Sequence, residues 1–468
     1  MMKPIALLLA SASLLAGCAA GPDYRPPVLP AAAARPFAAA DPAATTPAAP
    51  EDHWWRLYHD PRLDALVAAA LGANTDLRVA VARVARARAA LHGAGADRLP
   101  QTTLGAQPTY GRASLASTLP GTDRQGATYD GGGQLSYELD VFGRVSRNLE
   151  AAHADLGAAT ADAAAVRLAV EAETVRAYLD LTTSAEQLAV ARQTVALLDH
   201  SVAITGARQA VGRSDRLDVI RVTALRDQQQ AAIPTLEANR QAALLRLATL
   251  TGRAPGDLPA ELADATTTPA LAQPIPVGDG RQLLARRPDV AAAERRLAAA
   301  SARIGVATAD LYPHITLAAS GGVTAVDGMD LFGAGAARWL VGPVISWAFP
   351  NQKAIRARIA GARADDAAAL AQFDGTVLTA LEESERALSA YARAAERARD
   401  LAAAREAAAR AARISLARQR EGQIDFLTVL DAERTLAGAE ADLVAARRDV
   451  AFAQVEVFRA LGGGWANS

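Results

Sequence analysis

NQKAIRARIAGARADDAAALAQFDGTVLTALEESERALSAYARAAERARDLAAAREAAARAARISLARQR, residues 351–420, opens a stretch that runs to Leu461 without a proline. Phe373, Val377, Leu381, Leu388 and Tyr391 recur at steps of three and four residues and their sums, which is helical and not strand period. At roughly 1.5 Å per residue, residues 351–420 make one rod on the order of 100 Å long. Such a helix belongs to a coiled coil or a helical tube, not to an ordinary globular domain.

Residues 141–250 echo this stretch. Leu181, Leu188 and Val195 fall seven apart, and Leu198 and Val202 continue the stripe. Gly212, Asp215, Leu217 and Val219 match Gly422, Asp425, Leu427 and Val429 at a constant offset of 210 positions. Ser136-Tyr137 matches Ser346-Trp347 at the same offset, and Gly252 matches Gly462. Shared alanine richness would not hold a register, so the pattern reads as a tandem duplication.

The 468 residues carry a formal net charge of -1, too near neutral to point to nucleic acid as a partner. Apolar residues make up 51% but aromatics only 4%. The apolar mass is therefore mostly alanine, which gives thin, closely packed helix faces that several helices must share. At the N-terminus Lys3 precedes an apolar run, Ile5 to Leu15, and Leu15-Ala16-Gly17-Cys18 has the form of a bacterial lipobox. The single cysteine of the chain sits at the cut, so Cys18 is the expected lipidation site and no internal disulfide is possible. Ala20 to Pro50 is proline- and alanine-rich and reads as an extended tether. Trp54-Trp55 reads as the seat of that tether against the first helix, which Asp60-Pro61 starts. Gly72 and Asn74 are expected to bend this helix without ending it.

Leu99 to Val141 breaks the helical period. Leu135, Tyr137, Leu139 and Val141 alternate with Gln134, Ser136, Glu138 and Asp140, as in a strand with one apolar and one polar face. Val341, Pro343, Ile345, Trp347 and Phe349 form one face of a strand in the second copy, where Ile315, Leu317 and Ala319 also alternate. Pro234 should kink the helix it falls in or start a new segment. Arg286-Arg287-Pro288-Asp289 reads as a helix break, and Thr251 to Asp279 as irregular chain. Four amphipathic strands cannot close a barrel, and open edges do not survive in lipid. If the strands span a membrane, several chains must pool them. Three chains would give twelve strands, an even number within the range of known barrels.

Taken together these residues resemble the outer membrane factor family of tripartite resistance-nodulation-division efflux systems, and its lipoprotein branch in particular. The resemblance covers essentially the whole chain. Its N-terminal part rests on Leu15 to Cys18, Gly21-Pro22-Asp23-Tyr24, Trp54-Trp55 and Asp60-Pro61. Its internal part rests on Leu284 to Val290, Ala293-Glu294, Ala307 to Pro313, and Leu427 to Ala432. It implies a membrane β-barrel joined to a long α-helical barrel. Each chain gives four strands and long coiled helices in two tandem repeats, and a homotrimer closes one twelve-stranded barrel. It further implies an outer-membrane exit duct that passes drugs or other small toxic compounds from a periplasmic adaptor protein and an inner-membrane transporter to the outside. Outer-membrane lipid surrounds the barrel, and diacylglycerol and an acyl chain are expected on Cys18.

The expected divisions are a signal peptide (1–17), a lipidated tether (18–50), first-copy helix (51–98), strands (99–141) and long helices (142–250). An irregular equatorial segment (251–280), second-copy helix (281–311) and strands (312–350) follow. The last helices, with a periplasmic turn near 422 (351–461), and a tail (462–468) complete the chain. At that turn Leu427, Asp431 and Arg434 can share one helix side. From the residues alone, Asp431 and Arg434 fit an ordinary solvated ion pair beside a core leucine. The resemblance implies instead a channel constriction: leucine as apolar plug, aspartate as a charged ring favouring cations, arginine as latch to a neighbouring helix. Asp215, Asp218 and Thr428 are secondary turn contacts, Thr428 standing where some relatives carry a second aspartate.

Nothing has the spacing of a catalytic, cofactor or metal site. The histidines at 53, 59, 92, 153, 200 and 314 show no ligand spacing. Gly131-Gly132-Gly133 precedes a strand, not the helix a phosphate loop needs. The expectation is therefore no enzyme and no metal. The alternatives are an outer membrane factor for protein or polysaccharide export, and a periplasmic coiled-coil scaffold lipoprotein with no pore. A scaffold leaves the amphipathic strands unexplained.

Overall fold

A computed structural model describes residues 19–463, apart from 49–51, 118–120, 122, 263, 272 and 327–329. Cys18 lies outside the described residues. In chain order the elements are β1 (Thr45–Thr46), α1 (Pro61–Ala73), α2 (Thr75–Ala96), β2 (Gln101–Arg112), β3 (Gln125–Leu139), α3 (Arg144–Ala210), α4 (Arg216–Gln230) and α5 (Ile233–Leu250). β4 (Ile275–Pro276) follows in the segment between the copies, and then come α6 (Gly280–Arg286), α7 (Pro288–Ala309), β5 (His314–Ala325), β6 (Ala337–Ser346), α8 (Lys353–Arg420) and α9 (Phe426–Ala460). The chain divides into two compact units. One takes residues up to Pro27, Arg83–Thr160 and Ala292–Asp374; the other takes the remainder.

The first unit holds an antiparallel sheet in the order β2-β3-β5-β6. Residues directly opposed across antiparallel strands project to one face. Pro108 opposes Tyr129, which opposes Ala325; Leu135 opposes Ala319, which opposes Val341; Leu139 opposes Ile315, which opposes Ile345. These rows are apolar apart from Thr102, which opposes Leu135 on β2. The alternate rows carry Thr103-Gln134-Ser320, Asp130-Thr324 and Glu138-Thr316, ending on β6 at the less polar Leu340 and Val344. The register thus sorts the four strands into one mainly apolar and one mainly polar face. Leu104, Trp339, Val341 and Ile345 are 87%, 82%, 63% and 65% exposed in the single chain. An apolar face this open, with unpaired edges at β2 and β6, fits a lipid-facing wall completed by other copies. β6 ends at Ser346, so Trp347 and Phe349, expected within the strand, lie beyond it and stack on each other at 4.7 Å.

The start of the tether is clamped within this unit. Ala20 N–H donates to Phe142 O at 2.9 Å, and Arg147 donates to Asp23 at 2.6 Å and to Glu150 at 2.8 Å. The Tyr24 hydroxyl donates to Glu294 Oε1 at 2.7 Å. Gly21 lies against Gly305 so closely that a side chain would run into its backbone, and its φ of 89° already excludes most residues. The Arg147 guanidinium holds the Asp23 carboxyl below its ordinary range, while burial and then the Glu294 carboxylate raise the Tyr24 hydroxyl.

The second unit corrects the reading of residues 20–50 as simple extended chain. A short 3-10 turn forms at Ala31–Ala34, and β1 pairs in parallel with β4 of the segment 251–280. Phe37 joins a core with Tyr58, Leu63, Tyr178, Leu247, Ile275 and Phe458. Trp55 does hold the first helix, donating to Asp64 at 2.7 Å, but Trp54 stacks on Phe458 of the last helix at 4.6 Å. These indoles close the core by joining its two sequence ends. The expected bend at Gly72 and Asn74 is a full break: α1 stops at Ala73, and the axis turns by 44° into α2. Asn74 takes an extended ψ of 133°, and its Oδ1 accepts from the N–H groups of Asp76 and Leu77, capping α2. Its Nδ2 donates to Leu250 O at 3.1 Å.

The same joint recurs in the second copy with a different side chain. Arg287 leaves α6 with a ψ of 120°, Pro288 starts α7, and Arg287 Nη1 donates to Ala460 O at 3.0 Å. Arg287 also bonds Asp289 at 2.6 and 2.9 Å and Glu383 at 2.8 Å. Burial opposes its charge, but the two carboxylates more than offset this and its pKa ends above the ordinary value. Pro234 lies at the start of α5 and separates it from α4, whereas α9, with no proline, runs unbroken.

Candidate functional site

The site that the two copies build together lies at the Gly212 and Gly422 turns. After α3 and α8 the chain turns back on a glycine in the left-handed region, with φ 72° at Gly212 and 74° at Gly422. Arg213 N–H returns to Arg208 O at 2.8 Å, and Gln423 N–H to Arg418 O at 2.9 Å. This closure satisfies the last carbonyls of each long helix and requires a residue without a Cβ penalty. Asp215 then caps α4, accepting from Leu217 N–H at 3.0 Å, and Asp425 caps α9, accepting from Thr428 N–H at 2.9 Å. The bonds from Thr428 hold the Asp425 carboxyl below its ordinary range.

Capping decides the fate of three candidate residues. The Thr428 hydroxyl donates to Asp425 at 2.6 Å, and Asp218 accepts from the Ser214 hydroxyl at 3.0 Å. Asp215, Asp218 and Thr428 thus serve the starts of their own helices. Leu427, Asp431 and Arg434 come together along one side of α9. They line a hollow of about 500 Å³ whose far wall is α4, through Arg221, Ala224, Leu225 and Gln228. Val222, Leu225 and Leu198 pack beneath it with Phe426 and Leu430. Leu427 is 41% exposed, and Asp431 and Arg434 are exposed. Among the described residues Asp431 and Arg434 form no ion pair, so the simple i,i+3 pair is not made in this chain. Both charges remain open to other partners.

Reading single positions of the second copy missed Arg221 and Gln228. The signal was present: the offset of 210 that pairs Asp215 with Asp425 also pairs Arg221 with Asp431.

On the opposite side of α9, Glu433 points into the wall. Its carboxylate accepts from the Ser201 hydroxyl at 3.2 Å, and burial raises its pKa above the ordinary 4.5. A hollow of about 300 Å³ beside it is lined by Leu197, Leu198, Ala409, Ala412 and Leu436, with Arg405 and Glu440 paired at 2.9 Å. Among the described residues no group of histidine, cysteine and carboxylate side chains could hold a metal ion.

The family model of outer membrane efflux proteins matches residues 66–253 and 280–463. The toluene efflux pump outer membrane protein TtgF of Pseudomonas putida is 31% identical over 479 residues, covering 100% of this chain and 98% of that protein. Nodulation protein T of Rhizobium leguminosarum bv. trifolii is 31% identical over 456 residues, 97% of this chain and 96% of that protein. The solved outer-membrane channel OprN superposes with a TM-score of 0.89 at 39% identity, over 96% of this chain and 100% of that one. The open state of the Neisseria gonorrhoeae MtrE outer membrane channel gives 0.83 at 28%, over 96% and 98%. The family match falls in two stretches, each ending one residue past an equivalent glycine, Gly252 or Gly462, so it follows the duplication and not one local motif. This chain belongs to the outer membrane efflux protein family.

Proposed function

We propose that this outer-membrane efflux channel is the exit duct of a tripartite resistance-nodulation-division pump. It receives small toxic compounds from a periplasmic adaptor and an inner-membrane transporter and releases them outside. It is a channel and not an enzyme: the chain gives four strands and long helices to a trimeric barrel, and its work is conduction. The observation that carries the reading is the four-stranded sheet with an exposed apolar face and two open edges, which a poreless scaffold would not need. Relatives named for toluene, solvent and pyoverdine export support small molecules over protein or polysaccharide as cargo. Leu427, Asp431 and Arg434 form the closed constriction, and the helices stand in the periplasm. The chain belongs to the lipoprotein branch, with diacylglycerol and an acyl chain on Cys18. The clamp on Ala20 to Tyr24 supports this, since a lipid two residues before it would pull against fixed points.

The test is accumulation of a lipophilic dye in cells lacking the chain. Reintroduced full-length chain should lower accumulation, and a chain without β5 and β6 should not. Unchanged accumulation across a panel of dyes and solvents, together with lost secretion of a protein or polysaccharide, would replace the small-molecule reading.

A further inference from the structure

We propose that Arg221 is a second charged gate residue, and that the constriction is an alternating ring of Arg221 and Asp431 instead of a ring of aspartates alone. This rests on the reading of Leu427, Asp431 and Arg434 as the constriction.

The argument starts from the duplication. α4 begins at Arg216 and α9 at Phe426, 210 positions apart, each behind an aspartate cap and a glycine turn of nearly the same φ. Arg221 therefore stands as many residues into α4 as Asp431 stands into α9. With the same rise per residue the two side chains lie at one level below their turns. Both are exposed, both line the same hollow, and among the described residues neither forms an ion pair. One helical turn nearer the glycines, Leu217 and Leu427 are also equivalent, and both are exposed, at 47% and 41%. Exposed leucines at matched positions of both copies are what a shared apolar constriction requires.

A trimer of tandem repeats offers six quasi-equivalent positions at each level. Six leucines then form the plug, and three arginines alternate with three aspartates behind it. Three aspartates alone would repel one another and hold cations at the pore. Interleaved arginines cancel that field and make the closed ring cohesive. Arg434 has Ala224 as its first-copy counterpart, so it adds positive charge that nothing equivalent balances. The constriction consequently lacks the strong cation preference expected of an aspartate ring.

Single-channel recording of the purified full-length trimer in planar bilayers tests this, with native-gel assembly as the control for folding. R221A should raise the cation-to-anion permeability ratio several-fold and increase closed-state conductance, and R221K should behave as the parent. D431A should move selectivity toward anions. The exchange R221D with D431R should return both properties toward the parent. If D431A shifts selectivity and R221A, or R221Q where R221A fails to assemble, does not, Arg221 is a plain surface residue and the inference falls while the constriction stands. If neither substitution changes conductance or selectivity, the constriction reading itself fails and takes the inference with it.

Discussion

Truncating Arg287 to alanine should destabilise the helical part of the chain by about 3 kcal/mol. Breaking a buried ion pair by removing one partner costs about 3–5 kcal/mol, because the remaining charge is left without compensation. Here the Arg287 side chain is 9% exposed, but Asp289 and Glu383 are 40% and 21% exposed and regain some water, which favours the lower end. The orphaned Ala460 carbonyl adds little, since the Ser384 hydroxyl also donates to it at 3.3 Å. A loss of about 3 kcal/mol lowers the folded-to-unfolded ratio on the order of a hundredfold. The first-copy counterpart supplies an internal control. Asn74→Ala removes a neutral amide bond to Leu250 O and a helix cap, worth about 1–2 kcal/mol together. Arg287→Lys should recover only part of the loss, because an ammonium cannot fork toward two carboxylates and a carbonyl at once. Guanidinium unfolding of the detergent-solubilised channel, followed by far-UV circular dichroism, measures the order Arg287→Ala, then Asn74→Ala, then parent. An Arg287→Ala protein no less stable than Asn74→Ala would show that the joint is held by backbone and apolar packing and not by the guanidinium.

Gly21→Val should dislodge the tether, since the side chain meets the Gly305 backbone and the φ of 89° strains it; limited proteolysis should then cut between residues 19 and 30, and unchanged protection would contradict the close contact. Leu317→Arg, in the apolar row between Tyr137 and Pro343, should cost about 2–4 kcal/mol if it lies at mid-depth, while Ser320→Arg on the polar face should cost little. Equal losses in heat-modifiability on gels would mean that the two faces do not differ in surroundings. Glu433 holds its proton more tightly folded than unfolded, so its contribution is fully present below about pH 4.5 and is lost as pH rises through the higher folded value. Glu433→Gln should therefore flatten the decline in thermal stability above that pH, and a pH profile identical to the parent's would remove Glu433 from the account.

Local pattern carried much of this protein. Helical period over residues 351–420 and alternation at Gln134 to Asp140 are backbone geometries written into side-chain spacing, so they were legible without neighbours. The offset of 210 was legible because duplication preserves register even where residue identity has drifted, as from Asp431 back to Arg221. Four amphipathic strands, too few to close a barrel, also announced the need for other copies, since unpaired edges in lipid are costly whatever the fold.

Contacts between distant segments were beyond its reach. That Trp54 stacks on Phe458, that Asn74 and Arg287 do one job at two joints, and that β1 pairs with β4 depend on which surfaces meet after collapse. No periodicity encodes that. The proposed constriction shows the division most clearly: spacing put Leu427, Asp431 and Arg434 on one side of a helix, and an i,i+3 pair was the local expectation. Packing of α4 against α9 placed Arg221 and Gln228 opposite them, and among the described residues the i,i+3 pair is not made. A charge's partner is set by the field of everything near it in space, and that field exists only once the helices have packed.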